Sequence, residues 1–184
     1  MLFPLPDDFF QKNLDVYNRI VSVIYLAAKI GCESDKHGVS KIALSAAFIR
    51  SSLCEFISLE EYISQTYSNL NEEIYKISKF KDPIFHMLKL LRNYNIHVES
   101  SFLAEKSMQV RTLIKDSPEY EIRVNYISNL NLSSIKSLKS GKYYTDDQIL
   151  KMIECFENEQ HEFGISTLII KAALEYIERL RPYI

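Results

Sequence analysis

The chain has 184 residues, 47% hydrophobic and 25% charged, which is room for one domain with a proper core and too little for two. Its 12 Tyr and 10 Phe exclude a disordered chain, and four Gly with five Pro are too few to punctuate a sandwich or barrel, so an all-β fold is excluded. A net charge of −2 excludes nucleic-acid binding through bulk charge and leaves only local basic patches for that purpose.

The N-terminal MLFPLPDDFF interrupts its apolar run with Pro4 and Pro6 and follows it with Asp7 and Asp8, so neither a signal peptide nor a membrane span is expected. Tyr17, Ile20, Ile24 and Ala28 recur at three- and four-residue steps and predict a first helix over 8–30, capped by Asp7 or Asp8 and stopped at Gly31. A second stripe runs Ile42, Ala46, Ile49, Leu53, Phe56 and continues, after a break expected near Ser58, through Tyr62, Ile63 and Tyr67. Its small residues Ala43, Ala46 and Ala47 let a neighbouring helix approach closely. The segment SNLNEEIYKISKFKDP is polar and Asn-rich, and Pro83 after Asp82 suits the first position of a third helix, Pro83 to His97.

The period then changes. PEYEIRVNYIS alternates charged or polar residues with Tyr, Ile and Val, which reads as a strand, and SFLAEKSMQVRTLI is its expected antiparallel partner. With KDSP as the turn, a β-hairpin of about 100–128 interrupts the helices. From Thr145 onward the pattern is helical again, with Ile165, Leu168, Ile169, Ala172, Ala173, Tyr176 and Leu180 on the buried face and Gly164 as the expected kink. Residues 1–184 therefore read as a single, mainly α domain with a small hairpin insertion.

Most site patterns are missing: there is no glycine-rich phosphate loop, no HExxH and no GxSxG. Cys32, Cys54 and Cys155 are odd in number and form no CxxC pair, which argues against a disulfide framework and a zinc site and fits a reducing cytoplasm. His161-Glu162 is half of a zinc motif with Ile165 at the second histidine position, and it reads as an exposed acidic helix face; His37 beside Gly38 reads as surface. No metal ligand set and no cofactor are expected.

What remains is LLRNYNIH, residues 90–97. Arg92, Asn93 and His97 form the pattern RNxxxH, which a chain with these numbers of Arg and His meets by chance only about 0.01 times once Asn and the spacing are fixed. At 100° per residue, Ile84, Met87, Leu88, Leu91 and Tyr94 gather on a core arc, while His86, Asn93 and His97 share the opposite arc with Leu90 and Ile96 nearby. On an unbroken helix Arg92 stands about 140° from His97. The two converge on one phosphate only if the helix unwinds near Asn95 or a second chain supplies part of the site. Lys76, Lys79, Lys81, Lys89 and Arg92 lead into the motif against Asp82 alone, so Lys79, Lys81, Lys89 and His86 are candidate RNA contacts. Lys136, Lys139 and Lys142 form a second basic cluster, read as a solvated face.

The residue types suit cleavage of RNA without metal. Histidine can take a proton from a ribose 2′-OH or give one to the leaving 5′ oxygen, arginine offers a planar fork to the phosphate, and Asn93 can orient either. One histidine does not conveniently serve as acid and base together, which makes a two-fold dimer with two copies of His97 chemically attractive.

The motif, with the helical layout, resembles the HEPN superfamily. That resemblance implies a HEPN-like helical bundle acting as a dimeric endoribonuclease with Arg92, Asn93 and His97 as catalytic residues. It also implies a toxin or effector of prokaryotic antiviral or toxin–antitoxin systems, restrained by a cognate antitoxin or defence partner. The alternative is a catalytically silent bundle of the same fold serving as an RNA-binding or protein-interaction subunit.

Overall fold

The structure is a computed structural model, and it describes residues 7–32, 38–97, 103–111 and 119–184. His37 and the KDSP turn lie outside the described residues.

The Asp7 carboxylate accepts the Phe10 amide and caps α1 (Asp8–Lys12). Asn13 then ends that helix with φ −124° and ψ 54°, its side-chain amide donating to the Phe9 carbonyl and its Oδ1 accepting the Tyr67 hydroxyl at 2.7 Å. The helix expected over 8–30 is therefore two helices, because the Asn13 side chain competes for the backbone groups that would continue the first. α2 (Leu14–Ala28) follows, and the turn that ends it reaches Gly31, whose φ of +82° favours glycine and whose amide donates to Ser45 Oγ.

Ser40 caps α3 (Lys41–Thr66) by accepting the Ala43 amide. The break expected near Ser58 is absent: the Ser58 hydroxyl bonds back to the Glu55 carbonyl and takes a bond from Arg19, so it is accommodated inside the helix. Ala46, Ile49, Leu53, Phe56 and Ile63 are buried as expected, but Ile42 is 82% exposed. By length and composition α3 is apolar enough to cross a membrane; here its apolar side packs against α2 and the motif helix.

The Asn-rich segment holds α4 (Glu72–Tyr75), capped by Asn71, and a single 3-10 turn, Ile77–Lys79. α5 (Pro83–His97) starts where Asp82 Oδ1 accepts the Ile84 amide, with Pro83 in the first turn. The hairpin joins β1 (Leu103–Arg111) to β2 (Glu119–Ile127), antiparallel, in register from Leu103 opposite Ile127 to Arg111 opposite Glu119.

α6 (Leu132–Ser137) and a 3-10 turn, Gly141–Tyr143, lead to α7 (Asp146–Leu180). Gly141 must be glycine, since a Cβ there would stand 2.0 Å from the Ile135 carbonyl. Thr145 opens α7 with a full capping box to Gln148. Gly164, at φ +80°, kinks it where expected, and a Cβ there would stand 2.8 Å from the Asn125 carbonyl of β2. Around α5 the core is filled by Phe56, Leu88, Tyr94, Phe156 and Tyr176. The Tyr176 hydroxyl donates to the Tyr75 carbonyl at 2.8 Å, and burial holds its ionisation far above the ordinary tyrosine range. The molecule is a mainly helical bundle with a small two-stranded hairpin.

Candidate functional site

α5 places the motif at its C-terminal end and is enclosed along most of its length. Ile84, Met87, Leu88, Leu91 and Tyr94 are buried, as their spacing requires. Leu90, assigned by sequence to an outer arc, is 1% exposed and belongs to the core. The reason lies in the segment from α6 to α7, which runs back over the arc that carries His86 and Asn93. Ser140 Oγ accepts the Asn93 amide at 2.9 Å, and the Tyr144 hydroxyl meets His86 Nδ1 at 2.8 Å. A helical wheel registers only its own helix, so a cover arriving from 47 residues downstream is invisible to it.

Both ring nitrogens of His86, a candidate RNA contact by sequence, are bonded within the chain. Its Nε2 lies 2.7 Å from the Phe80 carbonyl, which only accepts, so that nitrogen carries the hydrogen; in the neutral ring Nδ1 then accepts from Tyr144. Burial first, and the Glu60 charge second, push the Tyr144 hydroxyl up and keep it a donor. Lys89 is similarly engaged: its Nζ lies 2.8 and 3.0 Å from the two oxygens of Glu60, a carboxylate only 6% exposed. A glutamate in the middle of a hydrophobic stripe was the signal for this pair. Lys79 and Lys81 are exposed. Lys136 bonds to Asp146 and to the Tyr144 carbonyl, while Lys139 and Lys142 are exposed.

Arg92 is different. Its Nη1 donates to Asn93 Oδ1 at 2.9 Å, and Asn93, braced by Ser140, fixes that end of the guanidinium. Nε is buried and has no hydrogen-bond partner, and no carboxylate pairs with Arg92 among the described residues. A buried guanidinium donor without an acceptor is costly, about 1–3 kcal/mol, and such groups call for an explanation. Sequence reasoning missed Ser140, which stands outside the motif and carries no pattern of its own.

His97 closes α5, its backbone still helical, and its side chain lies outside the described residues. The unwinding expected near Asn95 does not occur: Asn95 is 5% exposed and its side-chain amide donates to the Leu91 carbonyl one turn back, inside a continuous helix. Arg92 and His97 therefore occupy helix positions about 140° apart around the axis. Next to Ile96, which is 45% exposed, this is the open end of an otherwise covered helix.

Among the described residues no three His, Cys, Asp or Glu side chains gather into a metal-binding group. The 370 Å³ cleft beside His86, with Lys81 and Lys151 at its rim, is separate from Arg92. No family description, no curated protein and no solved structure matches this chain.

Proposed function

We propose that the chain is a metal-independent endoribonuclease of the HEPN type, acting as a toxin or effector in prokaryotic defence or a toxin–antitoxin system. The observation that carries this reading is Arg92: a guanidinium held by Asn93, braced through Ser140, and without a carboxylate among the described residues. A cation held in place with no carboxylate beside it among the described residues suits an external anion, and phosphate matches the guanidinium fork.

In the proposed reaction Arg92 stabilises the extra negative charge of the phosphorane. His97 removes the proton from the 2′-OH, and a second His97 protonates the departing 5′ oxygen. The products are a 2′,3′-cyclic phosphate and a free 5′-hydroxyl. Each chain carries one His97, so in this reading the second histidine comes from another chain. The proposed contact is the Ile96 end of α5, a choice supported by the exposure of Ile96 and the burial of Leu90. Lys79 and Lys81, exposed at the other end of the helix, guide the RNA backbone.

The test is incubation of purified protein with single-stranded RNA in EDTA. Cleavage with cyclic phosphate ends is expected, and it is lost in His97→Ala. Absolute dependence on magnesium, 3′-hydroxyl ends, or full activity in His97→Ala overturns the reading. RNA binding without cleavage points instead to the silent bundle.

A further inference from the structure

The hairpin leaves the body of the molecule halfway along β2: Val124 and Ile127 are buried, and the five residues from Glu119 to Arg123 are exposed. Which backbone groups point away from β1 is settled at the base. Gln160 Oε1 accepts the Ile127 amide at 2.9 Å and Gln160 Nε2 donates to the Ile127 carbonyl at 2.8 Å, so both groups of Ile127 face outward. In an antiparallel pair, residues alternate between facing the partner strand and facing away from it, which puts the N–H and C=O of Asn125, Arg123 and Glu121 on the same outer edge. Asn125 is covered by the close approach of Gly164. Beyond it, the edge groups of Arg123 and Glu121 meet no other described residue.

We propose that this edge pairs, antiparallel, with the same edge of a second copy of the chain, about a two-fold axis through Glu121. The occupant follows from the order of charges, because the sequence Glu119-Tyr120-Glu121-Ile122-Arg123 is complementary to its own reverse. Centred on Glu121, the pairing sets each Glu119 opposite Arg123 of the second copy and each Tyr120 opposite Ile122. Two opposite-charge pairs and two aromatic–β-branched pairs form, both of them favourable cross-strand combinations. Only Glu121 meets its like. Glu121 and Arg123 lie on the outward-facing register, so the backbone bonds of the new pair need no rearrangement.

Tyr120 is 52% and Ile122 42% exposed, and both share a face with Val110 and Met108 of β1. Arg123 makes only a 3.5 Å approach to Glu105 while 73% exposed, and Glu105 keeps its shorter 2.9 Å bond to Lys41 if Arg123 swings away. An exposed strand edge is a template for a further strand, and the contact of Glu121 with its like weakens the pair without preventing it. Glu121 lies six residues along the hairpin from Leu103, about 20 Å at 3.4 Å per residue, so this contact is distinct from the end of α5. It rests on the hairpin alone and stands whether or not the chain cleaves RNA.

Sedimentation of the full chain across a concentration series tests it, with circular dichroism confirming that each variant keeps its helices. Arg123→Glu is expected to weaken the association at least about tenfold and to halve the mass at intermediate concentration, because it sets two like-charge pairs across the interface. Combining it with Glu119→Arg reverses both pairs and restores association, and Glu121→Gln tightens it. RNA cleavage stays at the wild-type level throughout. A mass that Arg123→Glu leaves unchanged, a double variant that fails to recover, or a chain that shows no association even as Glu121→Gln overturns the proposal.

Discussion

His86 and Arg92 stand six residues apart on one helix, and their surroundings give them opposite work. His86 has both ring nitrogens bonded inside the chain, to the Phe80 carbonyl and the Tyr144 hydroxyl. His86→Ala leaves both of those groups without a partner and opens a hole between α5 and the segment that covers it. A loss of about 2 kcal/mol in unfolding free energy is expected, read by denaturant titration. Arg92→Lys removes a buried donor that has no acceptor, so the melting temperature should stay near wild type. Cleavage should nonetheless fall severely, since an ammonium cannot offer the planar fork. A destabilised Arg92→Lys with full activity would reverse the assignment of Arg92.

Among the elements, α7 shows what local sequence can and cannot announce. Thr145 with Gln148 is a capping box written within four residues, and Gly164 is the one glycine in a long periodic stretch, so the start and the kink are readable directly. The division at Asn13 is not, because it depends on Tyr67, which reaches it from the far end of α3. Nor is α4, four residues long with no period to detect. The same limit applies to the candidate site: RNxxxH stands out as a pattern, whereas Ser140, Glu60 and the burial of Leu90 depend on chain brought in from elsewhere. Gly164→Ala tests the kink. A side chain at φ +80° is strained, and its Cβ would press on the Asn125 carbonyl, so a loss of about 2–3 kcal/mol is expected. Thr145→Ala removes only a cap and should cost about 1 kcal/mol. Equal effects of the two changes would show that the contact between α7 and β2 adds nothing to the kink.

At the scale of the whole molecule, the question is how many chains make one site. Asn95, bonded to Leu91 and buried, keeps α5 helical to His97, and five helical steps carry Arg92 and His97 about 140° apart around the axis. A single chain therefore carries the two residues at well-separated positions around α5, and acid and base roles call for two imidazoles in any case. If both copies of His97 serve one cleft, a chain carrying His97→Ala does more than lose its own activity: it disables the wild-type chain it joins. Mixing the two in equal amounts, with time to exchange, leaves about one quarter of the dimers fully wild type, and activity should fall to about that fraction. Independent sites would give about one half under the same statistics. The contact can be placed with a further pair of variants. Ile96→Asp, at the exposed end of α5, should abolish the effect of mixing together with cleavage while leaving the fold intact, whereas Leu90→Asp buries a charge in the core and should unfold the chain. Activity that declines only in proportion to the wild-type fraction would mean that Arg92 and His97 meet within one chain, against the geometry of an unbroken α5.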